Sequence, residues 1–264
     1  MKIGIIGGGN MGSAMAQAFI SKNITKAENI TIIDLNEEKL NALQAELEVQ
    51  TSQNSTDIID SDILLIAVKP QGFEEMAKSI SGKIKEDCIV ISVMAAVSLK
   101  KVSECLNHAK VARCMPNTPS LIQAGVLAWM TTDGFSADEK IMINDLLSSC
   151  GYAFEVNSEE EINTVSYISG CGPGFFYFVM EEWLKGAKHL KLDEEKKKEL
   201  LMKTVMGSLL LSNTSEKPLS ELREQVTSKG GITAEGLKEL EKGNLHQTFE
   251  NMFKAAARRT NELN

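Results

Sequence analysis

The stretch Lys2-Ile3-Gly4-Ile5-Ile6-Gly7-Gly8-Gly9-Asn10-Met11-Gly12-Ser13-Ala14 decides the fold. An apolar run of strand length, Ile3 to Ile6, leads directly into a glycine turn, and Ser13 to Ile20 carries helical periodicity. Strand, glycine turn and helix in that order give three of the glycines separate work. Gly7 makes the tight turn, Gly9 lets main chain approach a pyrophosphate, and Gly12 lets the helix lie close on the strand. With Asn10 and Met11 between them, they open a helix whose free N–H groups and dipole favour an anion. A dinucleotide site is expected at the start of the chain; a glycine turn of purely structural use is the bland alternative.

The chain has 264 residues, room for two domains with ample cores, and its 43% apolar and 24% charged residues are those of an ordinary soluble globular protein. A formal net charge of −8 speaks against nucleic acid or an anionic membrane surface as a partner. No apolar run has the length of a membrane span, and the first residues enter a strand without the pattern of a signal peptide. The five cysteines, Cys88, Cys105, Cys114, Cys150 and Cys171, are scattered without a C-x-x-C pair, as expected for reduced thiols in a cytoplasmic protein. His108, His189 and His246 have no metal-ligand spacing, so no metal site is expected.

Beyond the first helix, Asn29 to Asp34 is a strand that ends in an acid. In a dinucleotide fold an acid there hydrogen-bonds the ribose hydroxyls and repels a 2′-phosphate, which favours NADH; Asp34 could equally cap the helix Glu37 to Leu47, and both readings stand. Asp62 to Val68, Cys88 to Val93 and Lys110 to Met115 are further apolar runs, ending in Lys69-Pro70-Gln71, Met94-Ala95-Ala96 and Pro116-Asn117-Thr118-Pro119. Strands alternating with helical segments spell βαβ units and a parallel sheet, whose ligands lie beyond the carboxyl ends of the strands. The cofactor is therefore expected to run across Gly9, Val68, Ala95 and Asn117. A strand Gly125 to Thr131, a helix Asp138 to Ser148 and an edge strand Tyr152 to Val156 complete this half.

From Ser158, which opens a helix with an S-x-x-E capping pattern, only helical periodicity is found, so the domain boundary is expected near residue 157. The expected architecture is an α/β Rossmann-type parallel sheet domain, residues 1–157, followed by an all-α domain, residues 158–264. Two glycine-rich interruptions mark the helical half. Ser169-Gly170-Cys171-Gly172-Pro173-Gly174 separates one helix from the next, Phe175 to His189; Thr227 to Thr233 lies between the helices Leu219 to Gln225 and Ala234 to Glu241. Each is either a plain helix joint or a nest of main-chain N–H groups for a small anion. Phe175, Phe176, Phe178, Met180 and Trp183, with Val205 to Leu211, form apolar stripes suited to a core or a dimer interface.

The segments Gly4-Ile5-Ile6-Gly7-x-Gly9-Asn10-Met11-Gly12, Ala67-Val68-Lys69-Pro70-Gln71, Met115-Pro116-Asn117-Thr118-Pro119, Ser169-Gly170-x-Gly172-Pro173 and Ser228-x-Gly230-Gly231-x-Thr233 together resemble the pyrroline-5-carboxylate reductases, over essentially the whole chain. The resemblance implies NAD(P)H-dependent reduction of the cyclic imine 1-pyrroline-5-carboxylate to L-proline, in an intertwined homodimer that often assembles into a larger ring. It implies that the glycine loop holds the pyrophosphate and that Asn54 meets the adenosine end. Ala67-Val68-Lys69 and Met94-Ala95 would flank the ribose and nicotinamide. Ser228, Gly230, Gly231 and Thr233 would take the substrate carboxylate, with Glu216 near the ring nitrogen. Relatives of this kind usually carry proline at Lys229, threonine at Ile232, alanine at Gly174 and glycine at Ala96.

A hydride donor that does the electronic work asks the protein chiefly for orientation, a carboxylate clamp and tolerance of an iminium, which fits the absence of a poised His or Lys acid. Thr233 and Glu216 are the side chains assigned to the reacting centre. A dehydrogenase of a small acid with the same architecture would need such an acid, with only His189 and Lys185 on offer, and a non-catalytic nucleotide sensor would keep the fold without turnover. NADH and NADPH both remain open: Asp34 favours the first, the habit of many members of the family the second.

Overall fold

The computed structural model describes residues 1–263. In chain order the elements are β1 (Ile3–Ile6), α1 (Asn10–Ser21), β2 (Ile30–Ile33), α2 (Glu37–Leu47), β3 (Gln50–Ser52), β4 (Ile63–Ile66), α3 (Pro70–Ile80), β5 (Ile89–Ser92), α4 (Leu99–Leu106), β6 (Val111–Met115), β7 (Gly125–Thr131), α5 (Ala137–Ser148) and β8 (Gly151–Glu155). There follow α6 (Glu159–Val165), α7 (Gly172–Gly186), α8 (Glu194–Thr214), α9 (Leu219–Gln225), α10 (Ile232–Lys242) and α11 (Leu245–Leu263). By packing, the chain divides into one unit of Met1–Pro173 with residues from Arg259 on, and another of Gly174–Arg258.

One sheet runs β3-β2-β1-β4-β5-β6-β7-β8. Its strands are parallel except at β6–β7, where Cys114 faces Trp129 in antiparallel register. The connection between them, residues 116–124, holds only the 3₁₀ turn Thr118–Ile122, and so short a link cannot carry the chain back to restart in parallel. The expected parallel sheet is thus parallel-dominated, with one reversal at its far side. The expected edge strand β8 is there, and the opposite edge is β3, whose Gln50-Thr51-Ser52 is too short and polar to stand out in a hydropathy pattern.

The central strands are apolar because helices cover both faces. Every residue of β1, β4 and β5 is buried. Ile3, Ile5, Phe19, Ile32 and Leu65 belong to the core on one face, and Ile6, Leu64, Ile66, Phe73 and Val90 to the core on the other. Phe19 and Phe73 are fully enclosed, a burial of the kind that contributes about 1.5–3 kcal/mol per side chain.

Caps set the helix starts. Ser136 and Glu139 form a reciprocal capping box at α5 that the sequence reading did not pick out. At α6 the expected pattern is shifted by one residue: Ser158 Oγ accepts the Glu161 amide at 3.1 Å, while Glu161 Oε2 accepts the amide of Asn157 at 2.8 Å. α6 also belongs to the sheet unit, since Ile162 is buried with Ala128 and Val156. Its first residue, Glu159, pairs with the buried Arg113 of β6 and accepts the Leu99 amide at 2.7 Å, tying three elements together.

The first glycine interruption does not break the helix. After α6 the chain passes through a single π-helical turn, Ser166–Gly170, closed by the Cys171 amide on Ser166 C=O at 2.8 Å, and Cys171 stays right-handed helical into α7. α7 accordingly begins at Gly172, earlier than expected, with Pro173 in its first turn.

Candidate active site

The sequence-assigned cofactor residues lie along the carboxyl ends of the strands, because parallel strands deliver their following loops to the same side. From the outer strand inward these are Asn54 after β3, Asp34 after β2, Gly7 to Gly12 after β1, Ala67 to Pro70 after β4, Met94 and Ala95 after β5, and Asn117 after β6. The Ala67 amide donates to Ile6 C=O at 2.8 Å and the Val93 amide to Ile66 C=O at 3.0 Å, so the loops of β1, β4 and β5 start side by side.

The glycine loop has the shape its residues require. Gly7 sits at φ +107°, and a Cβ there would come within 2.5 Å of Ala67 C=O. At Gly12 a Cβ would fall 2.0 Å from Gly7 C=O and 3.2 Å from the Ile5 side chain, which is the close helix-on-strand packing expected of it. Nothing lies within 4 Å of the place a Gly9 Cβ would take. Gly9 is the N-cap of α1 and no side chain caps that helix; intrahelical bonding begins at the Ser13 amide on Gly9 C=O, 2.9 Å. The amides of Asn10, Met11 and Gly12 therefore open onto a free face at the positive end of a helix dipole. These residues fit a dinucleotide pyrophosphate.

Asp34 is neither bare nor the cap of α2. That cap is Asn36, whose Oδ1 accepts the Lys39 amide at 2.9 Å. The Asp34 carboxylate accepts the Gly8 amide at 2.9 Å and the Asn36 amide at 3.0 Å, and pairs with Lys39 Nζ at 2.6 Å. Partial burial would push its carboxyl up, but Lys39 and the two amides together hold it below the usual carboxylate range. Gly8 and Lys39 are the two residues here that motif reading missed; Gly8 is hidden inside the glycine run, and Lys39 looks like any first-turn lysine.

Three assigned side chains are engaged within the chain. Met94 is buried in the core with Val97 and Leu99. Asn54 spends its side chain locally, accepting from the Thr56 amide at 3.2 Å and donating to Asp57 at 3.0 Å. Asn117 is buried, its Nδ2 donating to Ser169 C=O at 3.0 Å and its Oδ1 accepting the Val126 amide at 2.9 Å. Lys69, by contrast, is exposed at the head of α3, followed by Pro70 in the first turn.

In the helical unit, Ser228, Gly230, Gly231 and Thr233 share one turn. Gly230 sits at φ +71°, the Gly231 amide donates to Ser228 C=O at 2.9 Å, and Gly231 caps α10 without a side-chain acceptor. The amides of Ile232, Thr233 and Ala234 thus lack intrahelical partners beside the Thr233 hydroxyl, a donor set suited to a carboxylate. Ile232 is 95% exposed, so the side chain that replaces a hydroxyl there packs on nothing in this chain. Glu216 stands apart from this turn in the chain, exposed in the connection between α8 and α9. Among the described residues no cluster of His, Cys, Asp and Glu could hold a metal ion, and no helix is long and apolar enough to cross a membrane.

Residues 159–263 match the family model described as pyrroline-5-carboxylate reductase dimerisation, and residues 2–96 one described as NADP oxidoreductase coenzyme F420-dependent. The chain is similar to the pyrroline-5-carboxylate reductase of Haemophilus influenzae, 33% identical over 264 residues, 99% of this chain and 97% of that one. Among solved structures, that of a pyrroline carboxylate reductase from Plasmodium falciparum with NADP bound superposes with a TM-score of 0.89 at 27% identity, over 100% of this chain and 98% of that one. A pyrroline-5-carboxylate reductase from Coxiella burnetii gives 0.88 at 30% identity, over 99% and 98%.

Proposed function

The chain belongs to the pyrroline-5-carboxylate reductase family, and from that premise we propose how its own residues carry the family's reaction. It is an NAD(P)H-dependent oxidoreductase that reduces 1-pyrroline-5-carboxylate to L-proline. The observation that carries the reading is the uncapped head of α1 behind the open face of Gly9, at the carboxyl ends of the strands, where the loops of β1, β4 and β5 start side by side.

The amides from Asn10 to Gly12 take the pyrophosphate, with Gly7 and Gly12 shaping the loop that presents them. Asp34 and Asn54 frame the adenosine end. Ala67, Val68, Lys69 and Pro70, together with Met94 and Ala95, line the ribose and nicotinamide, chiefly through main chain, and Asn117 orders the next loop along. When bound, the dihydronicotinamide supplies the hydride. The protein's part is to orient the imine and hold its carboxylate, and Ser228, Thr233 and the Gly230-Gly231 amides do the second task. Glu216 provides a negative charge for the protonated ring nitrogen. Of the two side chains a competing dehydrogenase acid would draw on, Lys185 is ion-paired with Glu182 at 2.7 Å on an exposed surface, and His189 is exposed beyond the end of α7.

Thr233→Ala is expected to raise the KM for 1-pyrroline-5-carboxylate about tenfold, the loss of one hydrogen bond to a charged group, with NAD(P)H affinity kept. An unchanged KM would remove Thr233 from the site.

The helical domain, residues 158–264, serves substrate binding and self-association. Among the described residues of Gly174–Arg258, only Met180, Lys197 and Leu201 are buried, while Phe178, Trp183, Leu210 and Leu211 are 57–62% exposed. So apolar a surface is suited to a second copy of the chain. A homodimer is the assembly this supports.

A further inference from the structure

The reductase reading leaves the choice between NADH and NADPH open, and the corner beside the glycine loop bears on it. Asp34 ends β2, where an acid ordinarily reads the ribose hydroxyls and repels a 2′-phosphate. Here three donors already meet that carboxylate: the Gly8 amide at 2.9 Å, the Asn36 amide at 3.0 Å and Lys39 Nζ at 2.6 Å. The two amides fasten the glycine loop and the head of α2 to the end of the strand. The lysine cancels the acid's charge, and its ammonium keeps two N–H donors beyond the one on Asp34. Exposure is divided the same way, 14% for the Asp34 side chain and 40% for that of Lys39. Of the pair, Lys39 is the more exposed member, at the surface beside the exposed Leu35, Asn36, Glu37 and Glu38. Glu37 and Glu38 occupy the same first turn, so any welcome for a phosphate rests on Lys39 rather than on a general positive field.

We propose that Lys39 is the residue that admits the 2′-phosphate of NADPH, its pairing with Asp34 offsetting the acid that would otherwise repel that group, while the same carboxylate fastens the glycine loop. The proposal rests on the reductase reading only in taking NAD(P)H as the cofactor. It turns the acid at the end of β2 from a reader of the ribose hydroxyls into a group whose charge is spent on Lys39.

The test is calorimetric titration of NADPH, NADH and adenosine 2′,5′-bisphosphate into the wild-type protein and two variants, with no substrate present. Lys39→Gln keeps helix propensity and removes the charge. It is expected to raise the Kd for NADPH and for the bisphosphate at least about tenfold, the loss of a charge-assisted phosphate contact, and to move that for NADH by less than about threefold. Asp34→Asn keeps an acceptor for the Gly8 amide while freeing Lys39, and is expected to shift preference further toward NADPH. An unmoved NADPH-to-NADH ratio in Lys39→Gln, equal losses for both nucleotides, or a shift of Asp34→Asn toward NADH would each overturn the assignment. Wild-type turnover of 1-pyrroline-5-carboxylate with either nucleotide tests the reductase reading separately, because the binding ratios contain no contribution from substrate.

Discussion

Ala96 is held at φ +56°, in the left-handed region that costs a residue with a Cβ about 1–2 kcal/mol. It lies in the turn after β5, and the position is one where glycine is expected in the family. The strain is therefore a consequence of this chain's own residue, kept in place by Met94 and Val97, which are buried on either side. Ala96→Gly is expected to stabilise the protein by up to about 1 kcal/mol in urea denaturation, the strain relieved less glycine's greater unfolded-state entropy. A loss of stability would show that the turn draws on the methyl group. The glycine loop was legible at this scale because turn, phosphate approach and helix packing each demand glycine at a fixed spacing. Asp34 was legible as an acid at the right distance, but not its occupation by Gly8 and Lys39, which depends on three-dimensional neighbours that leave no periodic trace.

Two of the motifs that carry the family resemblance are fastened to each other by one side chain. Pro173 has no N–H to give to Ser169 C=O, its partner one helical turn back, and Asn117 Nδ2 supplies the missing donor at 3.0 Å while its Oδ1 takes the Val126 amide. Asn117→Ala should leave a carbonyl and an amide unpaired in a part-buried place, costing about 2–3 kcal/mol in chemical denaturation. Adding Pro173→Ala restores a main-chain donor for Ser169 and is expected to recover about 1 kcal/mol of that loss; a double variant no more stable than Asn117→Ala would contradict the compensation. Elements with strong local signals, the apolar strands β1, β4, β5 and β6 and the helix α2, were legible from pattern alone. The π-turn, the short polar β3 and the reversal of β7 were not, since each is fixed by connection length or tertiary partners.

At the scale of the molecule, three of the five cysteines, Cys88, Cys114 and Cys150, are wholly buried. Burial pushes the Cys88 thiol up to about 12 and that of Cys150 to about 11, and raises that of Cys114 as well. Native protein should therefore show at most two fast-reacting thiols, Cys105 and Cys171, against five after denaturation. The same shifts fix a pH dependence. These thiols stay protonated in the fold but ionise in the unfolded chain from about pH 8.5, so their contribution is intact below that pH. Above it, stability falls by about 1.4 kcal/mol per pH unit for each thiol. Unfolding free energies that stay flat from about pH 8.5 to 10.5 would contradict this. The helical unit, with its few buried residues and exposed apolar faces, lies within the residues matched by the family model described as pyrroline-5-carboxylate reductase dimerisation. Purified protein mixed with NADPH or NADH and 1-pyrroline-5-carboxylate should consume the dihydronicotinamide absorbance and form L-proline mole for mole; nucleotide binding without consumption, or consumption without proline, would contradict it.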